Sequence, residues 1–415
     1  MRFLPWPVAP DDATPVQRQN FANVQLDAIG AGLATTAYSF VPVFLARFGA
    51  TSFQIGLFTA LPSITGFFLS VVAGRFLQGS RDILKWWNGA RLIAFSAYGL
   101  MGLLSVVVPQ EHVVVAELAF WALLTVPRTM VLVGFTVVMS LIAGPRGRYE
   151  LMSRRWSIVG FVASVSGALV GLVLDRIPFP LNYQLVLVAL SFSGLISYHY
   201  GNRIRLPDVE PAAVSGSPPP ARRIRELVQL VREERAFVFF SAKRFIYTVG
   251  LVLATPILPL YYVRVVHATD AWIGIISTAQ TAILLLGYHF WARQSRMRGA
   301  RFVLLCATLG LAFYPALVSL TQRVVWMAVF ALLGGAFQAG LDLVFFDELM
   351  KTVPPEHSAT FISVATSLQH FALAMAPLLG TWLADWVGLG GALVASAVLR
   401  LVGFVLFARP APKTS

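Results

Sequence analysis

The chain has one cysteine, Cys306, in 415 residues. That excludes an internal disulfide and a cysteine-based metal centre. His370 has no second histidine four residues on and no carboxylate at ligand spacing, so a zinc site is excluded too. Charge is scarce: charged residues make up 12 % of the chain, against roughly 25 % in a soluble domain. No nucleotide-binding motif is present, which excludes direct drive by ATP. There is no histidine cluster, no nucleophile–base pair and no acidic metal motif, so an enzyme and a cofactor are not expected. The opening stretch, MRFLPWPVAPDDATPVQRQN, lacks the apolar core of a cleaved signal peptide.

Apolar residues fill the space that charge leaves. They make up 57 % of the chain, and mean hydropathy is +0.73. A bilayer core of roughly 30 Å needs about 20 such residues per crossing helix. Twelve runs qualify: 21–46, 52–77, 88–108, 112–143, 152–175, 181–201, 236–263, 270–292, 300–320, 323–350, 358–384 and 387–408. The only long hydrophilic segment, 202–235, divides them six and six. Its middle is rich in Pro, Ser and Ala and reads as extended. Its end carries Ile224, Leu227, Val228 and Val231 at helical spacing among five arginines. That is either a basic amphipathic helix lying on anionic lipid or a solvated linker helix.

The chain on either side of this linker repeats. Gly89-Ala90-Arg91 returns as Gly299-Ala300-Arg301, Pro145 as Pro355, Phe161 as Phe371 and Asp175 as Asp385, all at an offset of 210. Earlier in each half the offset is 218: Ala50-Thr51 returns as Ala268-Thr269, Ile55-Gly56 as Ile273-Gly274 and Arg75 as Arg293. One loop shortened by eight, between Arg293 and Gly299, accounts for both offsets. Two parallel membrane repeats are a mark of transporters.

Net charge is +13, but it is spread as topology requires. With the N-terminus inside, the outer loops hold four of the 32 Lys and Arg residues (Arg47, Arg176, Arg264, Arg323), and the spans hold Arg128 and Arg400. The remaining 26 lie on the inner side, which predicts cytoplasmic termini. No single basic patch exists, so nucleic acid is not a partner.

Local phrases carry a family resemblance. GATSFQIGLFTALPSI and HATDAWIGIISTAQTA resemble the turn into the second helix of each half in the major facilitator superfamily. GPRGRYELMS and PPEHSATFIS resemble its turns between fourth and fifth helices, and GALVGLVLD and APLLGTWLAD its fifth-helix ends. The resemblance covers about residues 18–408. It implies an all-α membrane protein of twelve transmembrane helices in two six-helix bundles, with helices 1, 4, 7 and 10 lining a cavity. The superfamily's acidic residue in the loop between helices two and three is missing, with Gln78 four residues after Gly74. The drug–proton antiporter pattern in the fifth helix is also missing.

Buried charge then points to candidate sites, since a charge at mid-bilayer costs roughly 2.5–3.5 kcal/mol even on the lenient insertion scale. Arg128, after Pro127 in the fourth span, suits an anionic substrate or a structural pair. Its repeat mate is Gln338. Asp342 lies one turn below Gln338 and is a candidate proton carrier or a satisfied ion-pair member. His370 heads a polar stripe with Ser363, Thr366 and Ser367, and could relay protons or pack. Asp27, opposite Lys243 and Arg244 at matching depth, could form an inner gate or a static bridge within one half. Tyr38 and Tyr247 are candidate cavity-lining rings, or interface aromatics. Arg400 reads as snorkelling, and Pro42 and Pro259 as bends near the outer mouth.

The domains read as an N-terminal tail (1–20), a first bundle (21–201), a cytoplasmic linker (202–235), a second bundle (236–408) and a C-terminal tail (409–415). The expected function is secondary active transport of a small solute by alternating access, with proton coupling. The alternative is a non-transporting sensor on the same fold. Expected partners are a small-molecule substrate, membrane lipid and protons, with the protein a monomer in the inner (cell) membrane.

Overall fold

In a computed structural model of the protein, residues 13–80, 82–206, 230–353 and 358–409 are described. Their regular structure is helical, with no strand among the described residues. The helices are α1 (Pro15–Arg47), α2 (Ser52–Gly79), α3 (Ile83–Val107), α4 (Gln110–Leu174), α5 (Leu181–Gly201), α6 (Arg235–Leu253), α7 (Ile257–Arg264), α8 (Asp270–Arg298), α9 (Ala300–Ser319), α10 (Val324–Thr352) and α11 (Ser358–Ala408). Most of the expected basic helix of the linker, up to residue 229, lies outside the described residues; residues 230–233 are helical.

Eleven helical stretches among the described residues are long and apolar enough to cross a membrane. The last of them, Val364–Ala408, contains two of the twelve expected spans, because Gly388 at φ 78° interrupts α11. Only glycine takes that backbone conformation without a steric penalty. Large apolar side chains such as Val107, Leu123, Phe68 and Trp386 stand well exposed on the outside. Apolar surface on this scale belongs in hydrocarbon, and the chain is an integral membrane protein.

The chain divides into two compact units, residues 1–49 with 68–213, and 50–67 with 214–415. In the first unit, Gly30 abuts Ser193 and Ser197 while Phe44 stacks on Tyr183, so α1 and α5 are antiparallel. Gly99 abuts Ser191 and Gly201 abuts Asn88, so α3 and α5 are antiparallel too. Trp87 donates to the carbonyl of Val131, while Tyr98, further along α3, meets Arg128, earlier in α4. The first part of α4 therefore runs against α3. Its last part runs with α1: Gly32 abuts Val162, and Thr36 bonds Ser166. The chain thus reverses direction between Met139 and Arg154, as the sequence's separation of spans four and five requires, although helical backbone continues through the reversal.

The second unit repeats the arrangement. Phe237 meets Phe361 and Phe245 meets Phe371, so the first part of α11 runs with α6. After Gly388 it returns, with Gly250 against Arg400 and Gly403 against Tyr247. The start of α2 belongs to this unit: Gly56 abuts Thr381, and Arg264 donates to the carbonyl of Ala50. The repeat extends to backbone detail. Gly49 (φ 85°) and His267 (φ 53°) are 218 residues apart and both left-handed. Each precedes an Ala-Thr pair, and both threonine hydroxyls accept from the backbone three residues on, Thr51 from Gln54 and Thr269 from Trp272. Those are N-caps for α2 and α8.

The seventh span departs from expectation. It breaks at 254–256 into α6 and α7, one turn before Pro259. Pro256 caps α7, and Pro259 falls in its first turn, where no backbone donor is required. α1 continues through Pro42 to Arg47.

Candidate functional site

Arg128 is carried by the first part of α4, half-buried in the first unit. Pro127 denies the carbonyl of Leu123 its helical donor, and the hydroxyl of Thr129 turns back to the carbonyl of Thr125. The guanidinium donates from Nη1 to the hydroxyl of Tyr98 at 2.7 Å. Its carbon lies 4.7 Å from the ring centre of Trp121 and 5.2 Å from that of Tyr38. Tyr38 and Trp121 stack at 5.8 Å. The expected pair Arg128 and Tyr38 is therefore brought together, with Tyr98 and Trp121 added. No carboxylate among the described residues forms an ion pair with Arg128.

Asp27 is fully enclosed in the same unit and ion-paired with Arg91 and with Arg155, the latter at 3.4 Å. Arg91 lies 4.2 Å from the ring of Trp87, and Arg155 lies 4.6 Å from that of Phe135. Asp27 is thus held within its own unit by two guanidinium groups, a static bridge of the kind expected as the alternative to a gate with Lys243 and Arg244. Lys243 instead approaches the carbonyl of Arg409, and Arg244 donates to Gln369 at 3.3 Å while lying over the ring of Phe345.

In the second unit, Gln338 and Asp342 share a face of α10. Gln338 Nε2 donates to Asp342 Oδ1 at 2.7 Å, and the hydroxyl of Tyr288 on α8 donates to Oδ2 at 3.0 Å. Asp342 is accessible at the protein surface. His370 is half-buried near Gly66, and its Nδ1 meets no partner. Thr366 bonds its own helix, at the carbonyl of Ile362.

Two further residues lie in the second unit. Tyr247 is fully buried among Phe345 and Phe407, with its hydroxyl donating to the carbonyl of Thr308 at 2.8 Å. In this state it packs inside the second unit. Arg400 does not snorkel. It is 3 % exposed and donates to the carbonyls of Gly250, Leu251 and Leu311. The first two have no helical donor where α6 ends, Gly250 also accepting from the hydroxyl of Ser396 at 2.7 Å, and the third has none because Pro315, four residues on, has no N–H.

Sequence reasoning missed Arg91, Arg155, Tyr98, Trp121, Tyr288 and Glu117. Arg91 and Arg155 stand near inner span ends and were counted with the topological charge. Glu117 lies inside an apolar run, and the cost argument that singled out Arg128 applies to it equally. The tyrosines and Trp121 carry no pattern of their own that separates them from other membrane aromatics.

Residues 238–415 match the family model of the Major Facilitator Superfamily. Two curated relatives are both named multidrug resistance protein MdtG. That of Dickeya zeae (strain Ech586) is 26 % identical over 163 residues, covering 37 % of this chain and 38 % of the relative. That of Proteus mirabilis (strain HI4320) is 24 % identical over 164 residues, covering 38 % and 40 %. The alignments thus span about two fifths of the relatives' length. Among solved structures, the nucleoside transporter NupG matches with a TM-score of 0.74 at 11 % identity, over 93 % of this chain and 98 % of that one. A bacterial homologue of the iron transporter ferroportin, in an inward-facing state, matches with a TM-score of 0.70 at 15 % identity, over 95 % and 100 %. At such identities the likeness is one of fold. The second half of the chain, residues 238–415, is thus similar to the Major Facilitator Superfamily, and the solved structures share the fold over nearly the whole chain.

Proposed function

We propose that this protein is a secondary active transporter of the inner membrane, with cytoplasmic termini, that moves a small anionic solute by alternating access. One observation carries the reading. Arg128 is a membrane-embedded guanidinium with one hydroxyl partner, two aromatic rings beside it and no carboxylate to neutralise it. The other arginines buried in the spans have closer polar partners: Arg91 and Arg155 share Asp27, and Arg400 donates to three backbone carbonyls. A guanidinium with donors to spare presents a fork that fits a carboxylate or phosphate in two-point contact. The rings of Tyr38 and Trp121 would cover the apolar part of the same solute.

The test is a thermal-shift screen of the purified protein, because a ligand stabilises what binds it. The panel contains small carboxylates and organic phosphates, with neutral sugars, nucleosides and cationic dyes as contrasts. An anion that raises Tm in wild type and not in Arg128→Ala supports the reading. Stabilisation by neutral or cationic compounds alone, equal in both proteins, contradicts it. Flux of the identified anion in proteoliposomes then separates a transporter from a sensor, which would bind saturably and move nothing.

A further inference from the structure

Glu117 is fully enclosed in the first part of α4, and neither carboxyl oxygen has a hydrogen-bond partner. It differs in this from Asp27, equally buried but held by two arginines. An ionised carboxylate in such a place would give up its water and receive nothing, at an effective cost of several kcal/mol. A neutral carboxylic acid avoids most of that cost. Among the described residues, no ionisable side chain of α1, α3, α4 or α5, Tyr38, Tyr98 and Arg128 included, is bonded to Glu117.

Its position on the helix makes it more than a buried acid. Trp121 follows at i+4 and Arg128 at i+11, which is about three turns, so all three lie on one face some 16 Å apart end to end. Trp121 stands between acid and guanidinium, with its ring against Tyr38 at 5.8 Å, Tyr98 at 6.4 Å and the guanidinium at 4.7 Å. Arg128 and Glu117 form no hydrogen bond with each other in this state.

We propose that Glu117 is a proton-binding site of the first unit, loaded in the state seen here, and linked electrostatically to Arg128. The link has a definite sign. A bare guanidinium favours the ionised acid. An anion on Arg128 cancels that attraction and so favours the proton on Glu117. Proton and anion then bind with mutual assistance, which is the sign needed for moving both in one direction. With the helical rise of about 16 Å taken as the separation and an effective dielectric near 20, the assistance amounts to about fivefold in either affinity. The proton site rests on geometry alone; its coupling to a solute rests on the transport reading.

The experiment is infrared difference spectroscopy on the reconstituted protein, following the carbonyl stretch of protonated carboxyl groups as pH is raised from neutral. The expected result is a band in wild type that fades reversibly, is absent in Glu117→Gln and remains in Asp342→Asn. Arg128→Gln, which mimics neutralisation, should strengthen proton binding about fivefold and move the midpoint up accordingly. Absence of a Glu117 band at neutral pH overturns the proposal, as does a band that no pH removes. An unmoved midpoint in Arg128→Gln overturns the linkage. If Glu117→Gln does not fold, the wild-type titration and the Arg128→Gln shift still decide. None of these readouts needs transport. A titrating Glu117 in a protein without flux would defeat the transport reading and leave the proton site standing.

Discussion

Arg128 Nη1 donates to the hydroxyl of Tyr98 across the α3–α4 contact at 2.7 Å, and this bond is its polar tether within the first unit. The hydroxyl aims the guanidinium without cancelling its charge, leaving Nη2 and Nε for a ligand.

Removing the charge should therefore remove ligand binding. Arg128→Ala is expected to abolish stabilisation by the anion found in the screen while the free protein melts within a few degrees of wild type. Tyr98→Phe keeps the charge and loses the aim. Hydrogen bonds to charged groups contribute about 1.5–3 kcal/mol, so affinity should fall roughly tenfold or more. Binding titrations of both variants check this, and an unchanged affinity in Arg128→Ala would rule out the anionic substrate.

Asp342 is met by two donors, Gln338 and Tyr288. In Asp342→Asn the amide must turn its NH2 toward one of them. A loss of about 1–3 kcal/mol follows, since one donor goes unmet, and thermal unfolding should show it. Tyr288→Phe should relieve part of that loss in the double variant, and simple addition of the two losses would contradict the shared contact.

Asp27 serves two arginines. Asp27→Asn strands both, and breaking a buried pair costs about 3–5 kcal/mol. Arg155→Gln leaves Arg91 in place and should cost less. Melting of the two variants in detergent gives the comparison; equal losses would mean that Asp27 is not the shared centre.

Arg400 replaces donors missing from two helices. Arg400→Met should destabilise the protein by about 3 kcal/mol or more, as buried carbonyls lose their partners. Pro315→Ala in that background gives Leu311 a backbone donor and should recover about 1 kcal/mol. No recovery would show that the carbonyl of Leu311 is not what Arg400 serves.

Much of this architecture is legible in the chain before any coordinates. Apolar runs mark crossing helices because hydrocarbon admits no other open backbone. Ala50-Thr51 and Ala268-Thr269 mark the repeat, and Gly49 and His267 then share a left-handed backbone at the same place. Arg128 stands out by the cost of its burial. The partners of these groups are a different matter. Asp27 is 64 residues from Arg91 and 128 from Arg155 in sequence, and no local spacing relates them. Arg400 and Pro315 are linked only through a missing N–H. The break of the seventh span came at 254–256 because backbone bonding, not the position of Pro259 alone, decides where a helix ends.

Composition, periodicity and charge bias alone determined an integral, duplicated helical membrane protein with a few costly ionisable groups inside it. Those properties follow from transfer free energies, which belong to each residue wherever it ends up. The tertiary structure decided which of those groups are compensated, Asp27 and Arg400, and which are left open, Arg128 and Glu117. Compensation depends on distances of 3–4 Å between helices remote in sequence, and only packing sets those.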